Sequence, residues 1–403
     1  MSKNTERPPL SESGWHYPST GRRDLRIDFL RGIAMIIMVV AHIEVFSVFN
    51  LFTSERFGLV SGAEGFVIFA GIVLGSLYRH RLPIDGWITS IYRVWSRAWK
   101  LYVVSLFIII SIYLLALLPF INAHEVISFT NRGINQVYPL YPVNDVPLNT
   151  ALNFLFYLQA GPHQTQVLGL YVILMLITPL AFVAFRYHKQ WYFLAASWLV
   201  YFWYQKHVNI HITTSNFENA FAVLAWQVLF FNALAIGWFK AEIASYMYGW
   251  RKILLLSFCV SVSLILFFIA QNHTNPFLPS WAKLNLIEAH TFNYIYENYA
   301  QKNSLGVVRV LNDFCLLVTL YWLLTICWTP FYKALGWYLI PVGQASLYVF
   351  IIHVYVVLLA SQLVSFNLSP NNNWLITSTI HGGSLMLLWW MTKKEMGMKY
   401  IPN

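Results

Sequence analysis

Arg31 and His42 bracket an apolar run, Arg31-Gly-Ile-Ala-Met-Ile-Ile-Met-Val-Val-Ala-His42. Ionisable side chains on a membrane helix are costly and are functional-site hypotheses by default. Eleven residues at about 100° each return His42 to nearly the face of Arg31, roughly 16 Å further along the axis. A guanidinium near one membrane surface and an imidazole deep inside then face one cavity. That arrangement suits an anionic donor on one side and a proton acceptor within. A neutral imidazole is the commonest general base near physiological pH, and acyl transfer requires a hydroxyl to be deprotonated. The alternative for His42 is a hydrogen bond between neighbouring helices. Arg31 is either an anion ligand or a topogenic arginine, and Asp28, three residues before it, is placed to pair with it.

Other residues add to this pair. Glu64 stands near the outer start of the second apolar stretch, at a depth similar to that of His42, where a carboxylate could orient the imidazole. Capping a helix is the competing reading for Glu64, which leaves the two open. Gly62, Gly65, Gly71 and Gly75 allow close approach of helices or a ligand. Arg93, Arg97 and Lys100, at i, i+4 and i+7, form one basic face. Arginine forks bind phosphates, so this face suits a nucleotide-like donor, while anchoring to anionic lipid is the other reading. His353 is a second intramembrane histidine, with packing and substrate contact both open. Arg309 and Asp313, at i and i+4, are expected to form an ion pair that could also line an acceptor entrance. His124, His163 and His290 fall in outer loops and read as incidental.

The elements that position these residues follow from composition. The chain has 403 residues, 58% hydrophobic and 18% aromatic with only 10% charged, which excludes an ordinary soluble domain and points to a polytopic membrane protein. Ten apolar stretches are long enough, or nearly so, to cross a roughly 30 Å hydrocarbon core. They lie at about 29–50, 59–78, 98–120, 168–186, 190–205, 219–239, 253–271, 306–329, 343–365 and 374–391. The expected fold is therefore an all-α polytopic membrane protein of about ten transmembrane helices. With the N-terminus inside, only Arg56, Arg132, Lys206, Lys283, Lys302 and Arg309 of the 26 basic residues fall outside. Lys3, Arg7 and Arg22 belong to the inner set. This bias puts both termini in the cytoplasm and explains the net charge of +10 as topology, with no nucleic-acid partner.

The organisation expected is a cytoplasmic tail 1–25, a membrane domain 26–392 and a cytoplasmic tail 393–403. The first 24 residues are polar with no apolar core, so no cleavable signal peptide is expected. Cys259, Cys315 and Cys327 have no metal-type spacing, and no metal site or disulfide framework is expected. Two long outer loops, 121–167 and 272–305, are of a length that is often functional. The first carries Pro139, Pro142, Asn144, Pro147 and Asn149; the second carries Phe292, Tyr294, Tyr296 and Tyr299 among amides. Aromatics beside amides suit sugar rings, and an interfacial aromatic belt is the equal alternative. No internal repeat is visible, so a transporter of inverted repeats gains no support.

Three runs carry a resemblance. Arg26-Ile-Asp28-Phe-Leu-Arg31-Gly with His42 resembles the first-helix signature of integral-membrane acyltransferases that decorate bacterial glycans. Glu64-Gly-Phe-Val-Ile-Phe-Ala-Gly71 and Ser346-Leu-Tyr-Val-Phe-Ile-Ile-His353 resemble the OpgC-type branch. The resemblance spans nearly the whole chain from Arg22, with one departure: Ala70-Gly71 stands where Ser-Gly is commoner. It implies succinyl transfer to osmoregulated periplasmic glucans in the bacterial inner membrane, with no permanently bound cofactor. The implied donor is cytosolic acyl-CoA, succinyl-CoA or acetyl-CoA, with its phosphates on Arg31, Arg93 and Arg97 beside Lys100. His42 assisted by Glu64 would deprotonate a glucan hydroxyl, with Asp28, His353 and Arg309 in supporting roles. The absence of a convincing serine or cysteine beside His42 points to direct transfer. The alternatives are O-acetyl transfer to O-antigen or exopolysaccharide, or a non-enzymatic glycan or lipid transporter. A free basic group near His42 would favour succinyl, because only that acyl group ends in a carboxylate.

Overall fold

The computed structural model describes residues 14–18, 23–131, 136–142, 146–274, 278–364, 366 and 373–401. Lys3, Arg7 and Arg22 of the expected inner tail, and Arg132 and Asn144 of the first long loop, lie outside the described residues. Helices dominate. The ten longest are α1 Leu25–His42, α2 Gly62–Asp85, α3 Trp87–Ala116, α4 Val167–Arg186, α5 Gln190–Gln205, α6 Val223–Trp238, α7 Trp250–Ala270, α8 Val307–Ile326, α9 Ser346–Leu363 and α10 Trp374–Lys393. One antiparallel hairpin, β1 Ser128–Asn131 with β2 Gln136–Pro139, is the sheet found among the described residues.

Each of the ten expected apolar stretches thus contains a helix, but fewer qualify as spans. Six, namely α2, α3, the segment His163–Arg186 that contains α4, α7, α8 and α9, are long and apolar enough to cross a membrane. The count reaches seven if α6 and the short helix Lys240–Tyr246, bent by 75°, make one span. The reasons are local. α1 carries Arg26, Asp28 and Arg31 in only 18 residues. α5 and α6 are each 16 residues long. α10 is diluted by Thr377, His381 and Ser384, all buried, around its Gly-Gly pair. α5 and α6 thus fall short by length, and α1 and α10 by the polar residues they carry.

Capping chemistry sets the ends that matter. Asp24 caps α1, its carboxylate accepting from the Arg26 backbone N–H while Arg26 and Lys240 pair with it. Ser61 and Glu64 form a reciprocal capping box that starts α2. Gly86, at φ +75°, makes the turn into α3, a conformation other residues adopt only with strain. α1 stops at His42, well before the expected end of its apolar stretch, because the chain turns at Ile43. His381 of α10 fixes that turn, one ring nitrogen 3.1 Å from the Ile43 carbonyl and the other 2.7 Å from Ser47 Oγ.

Water does not drive helix association within lipid, so close packing and interhelical hydrogen bonds must do so. Small residues make it possible here. Gly71 and Gly75 of α2 lie against the α6 backbone at Phe230 and Leu234, and any Cβ there would collide. Gly343, in the short helix Trp337–Gln344, lets that helix lie on α1; a Cβ on it would overlap the Asp28 carbonyl. This contact holds the first two turns of α1, and with them Asp28 and Arg31, at a fixed height. A large crevice, about 1060 Å³, lies between α5, α6 and α8 and is lined mainly by apolar side chains. It contains none of the residues with candidate chemistry.

Candidate active site

α1 carries its two candidate side chains, Arg31 and His42, into two different cavities rather than one. Arg31 lines one of about 60 Å³ with Arg97, Tyr171 and Ser346. His42 lines a second, of about 210 Å³, with His163, Gln164, Glu55, Tyr296 and Lys302. Phe66 belongs to the wall of the first and Phe350 to the wall of the second. The two phenyl rings stack with centroids 5.0 Å apart and form the partition between the cavities. The Tyr171 hydroxyl donates to the Phe66 carbonyl at 2.7 Å and steadies that side.

His42 meets His353 at the partition. Its Nδ1 lies 2.8 Å from His353 Nε2, and the rings are nearly parallel with centroids 5.0 Å apart. The tautomers follow from what lies behind. His353 is fully buried, and its Nδ1 faces the Phe350 carbonyl, which can only accept. The hydrogen therefore sits on His353 Nδ1, which leaves its Nε2 as an acceptor in the neutral ring. His42 must donate from Nδ1, and its own Nε2 carries a free lone pair. Histidine here orients histidine, the role a carboxylate plays in a catalytic triad.

Glu64 does not take that role. It is fully buried, and one oxygen accepts from Arg309 Nη1 at 2.9 Å. The other serves the Ser61 backbone N–H and hydroxyl. Both oxygens are engaged away from His42, because the capping box rotates the side chain toward α8. Arg309 is likewise turned from its expected partner. It reaches Glu55 at 2.8 Å as well as Glu64, and donates to the Ala300 carbonyl, while no ion pair with Asp313 is found among the described residues. A guanidinium fork fits two carboxylates arriving from one side better than a single one on its own helix. Glu55 lies in the loop before α2. Burial pushes its carboxyl up, but Arg309 and His273 outweigh burial and hold it at about 2. Asp313 Oδ2 is buried without a hydrogen-bond partner.

The basic face of α3 divides. Arg97 lines the cavity of Arg31, and its Nε is buried without a hydrogen-bond partner. Arg93 is exposed and paired with Asp85, and Lys100 is exposed. Asp28 is held in a bidentate pair by Arg23, at 2.6 and 2.9 Å, with Arg31 3.6 Å away. Arg31 Nη2 donates instead to Ser346 Oγ at 2.5 Å. Two residues absent from the expected site join it. His163, whose loop position reads as incidental, has its ring edge-on to His42 with centroids 6.1 Å apart. Lys302 lines the same cavity with no ion-pair partner among the described residues. Neither lies on an apolar periodic stretch, so nothing local marks them. No group of three or more His, Cys, Asp or Glu suited to a metal exists among the described residues.

Fold and site together define a helical membrane protein with a buried histidine pair between an arginine-lined cavity and a polar one. The chain belongs to the OpgC protein family, whose model matches residues 23–395. That membership makes it a glycan-modifying membrane acyltransferase in general terms. No curated protein matches the chain, and no solved structure does.

Proposed function

We propose that this protein moves a succinyl group from cytosolic acyl-CoA to a hydroxyl of a periplasmic glucan, across the bacterial inner membrane. The observation that carries the reading is the free Nε2 of His42, fixed by the His353 relay at the floor of the polar cavity. With both termini in the cytoplasm, the arginine cavity faces the donor side and the polar cavity the acceptor side. Arg31 and Arg97 bind the donor's phosphates, which suits the unpartnered Nε of Arg97. Asp28 and Ser346 hold Arg31 in place. The acyl end passes the Phe66–Phe350 pair to reach His42.

The acceptor hydroxyl oxygen attacks the thioester carbonyl carbon as His42 Nε2 takes its proton. The imidazolium that forms still donates from Nδ1 to His353. The tetrahedral intermediate then collapses, the C–S bond breaks, and the leaving thiolate recovers the proton from His42. No acyl-enzyme is needed. Glu64 and Arg309 brace the wall of the acceptor cavity and take no proton.

Lys302 decides between donors. An ammonium without an ion-pair partner among the described residues, in the cavity of His42, suits the terminal carboxylate of succinyl and has nothing to bind in acetyl. Hydrogen bonds to charged groups contribute about 1.5–3 kcal/mol. Lys302→Met is therefore expected to lower the succinyl-to-acetyl kcat/KM ratio about 10–100-fold. An unchanged ratio would remove Lys302 from donor recognition and leave O-acetyl transfer to O-antigen or exopolysaccharide equally supported.

The test of the reaction itself uses the full chain in proteoliposomes with succinyl-CoA and purified periplasmic glucan. Free CoA should appear only when both are present, and the glucan should gain one succinyl mass. CoA release with acetyl-CoA alone would keep the enzyme and change the donor. No CoA release with either donor would sink the reading in favour of glycan or lipid transport.

A further inference from the structure

The cavity of His42 holds two polar atoms that the chain leaves unsatisfied. Gln164 is only 2% exposed; its Nε2 donates to the Glu125 carbonyl at 3.1 Å, yet its Oε1 has no hydrogen-bond partner. The amide cannot be turned round, because a carbonyl oxygen would then face the Glu125 carbonyl. Gln164 thus presents an acceptor. Beside it, His163 Nδ1 is buried without a partner, while its Nε2 lies 3.7 Å from Glu44 Oε1. Nε2 is the ring nitrogen that faces the carboxylate, so in the neutral ring the hydrogen belongs on Nε2 and Nδ1 is a second acceptor. A buried polar atom without a partner costs about 1–3 kcal/mol, and native structures keep few of them. Two such atoms on adjacent residues, lining one cavity with a free base, call for a ligand that donates twice.

We propose that His163 and Gln164 form the acceptor subsite and grip one hexosyl unit by two hydroxyls, with a further hydroxyl set on His42 Nε2. This deepens the transferase reading and rests on it. The lining supports a sugar over other ligands. A phosphodiester brings no donors for two acceptor atoms, and a lipid chain would leave both unsatisfied. A pyranose ring offers hydroxyl donors at its edge and apolar faces above and below. Phe221, Phe350 and Tyr296 supply rings in the wall, and the volume of about 210 Å³ suits a single ring rather than a chain of them. The subsite therefore takes a terminal or protruding residue of the glycan. His163 and Gln164 position the acceptor and do not transfer protons.

The experiment measures initial rates of CoA release by the full chain in proteoliposomes, varying glucan at saturating succinyl-CoA and then the reverse. Gln164→Ala is expected to raise KM for glucan about tenfold, with KM for succinyl-CoA and kcat within about twofold of native. His163→Phe, which keeps a ring but loses the acceptor atom, should do the same. His163→Asn, which returns an acceptor near Nδ1, should recover most of the loss, a rescue that a purely structural role would not give. Unchanged glucan KM in both Gln164→Ala and His163→Phe, with an active native chain, would overturn the subsite while leaving the transferase standing. Equal rises in donor and acceptor KM would also overturn it. A native chain that releases no CoA with any donor fails the transferase reading, and the subsite with it.

Discussion

His42→Ala is expected to lower acyl transfer by about 10²–10⁴-fold, the usual contribution of a positioned general base. The loss should fall on kcat, because His42 lines the polar cavity and lies beyond the Phe66–Phe350 partition from Arg31 and Arg97. Folding should survive, since the ring makes one hydrogen bond among the described residues, to His353. Two readouts check this. Free CoA release in proteoliposomes gives the rate, and an unchanged melting temperature in detergent shows that the protein is intact. In cells, mass spectrometry of periplasmic glucan from a deletion strain should show the succinyl increment with the native chain and none with His42→Ala at equal expression. Transfer by His42→Ala within tenfold of native would leave the enzyme standing and sink this mechanism.

Arg309→Met is expected to cost about 3–5 kcal/mol of stability, the second large effect, because it strands buried carboxylates. Arg309 is fully buried and joins Glu55 and Glu64, which come from the loop before α2 and from its first turn. Removing one partner of such a pair leaves uncompensated charge, whereas replacing all partners does not. Arg309→Met combined with Glu55→Gln and Glu64→Gln should therefore regain much of the lost melting temperature. The pH dependence has a definite sign. In the native protein Glu55 is held at about 2, below its unfolded value. Its stabilisation is present above the usual carboxylate range and is lost as pH falls toward 2. In Arg309→Met burial acts with less opposition and raises the folded value. The variant's deficit should then shrink as pH falls through the carboxylate range. A melting temperature within a degree or two of native at neutral pH would show that the triad contributes nothing to stability.

Much of the fold is legible in the sequence. The ten apolar stretches each contain a helix, since hydropathy over 16 to 30 residues is a local property of the chain. The first-helix run through Arg31 and His42 and the runs at Glu64 and His353 pointed to the OpgC family that the chain belongs to. Even so, the number of spans was not legible, because α1 and α10 carry polar residues that only neighbouring helices make tolerable. The end of α1 was misplaced for the same reason: His381, 338 residues from Ile43, fixes the turn.

The sequence by itself determined the class of protein, the positions of the helices and the presence of an arginine and a histidine on one of them. Only the tertiary structure decided what each side chain faces. It joined His42 to His353 across 311 residues, turned Glu64 to Arg309 across 245, and put His163, Gln164 and Lys302 in the cavity of His42. The physical reason lies in the solvent. In water, an amphipathic stripe shows which face of a helix is buried. In a membrane both faces are apolar, so pairing depends on small residues such as Gly71, Gly75 and Gly343, and on single polar contacts that have no period to read.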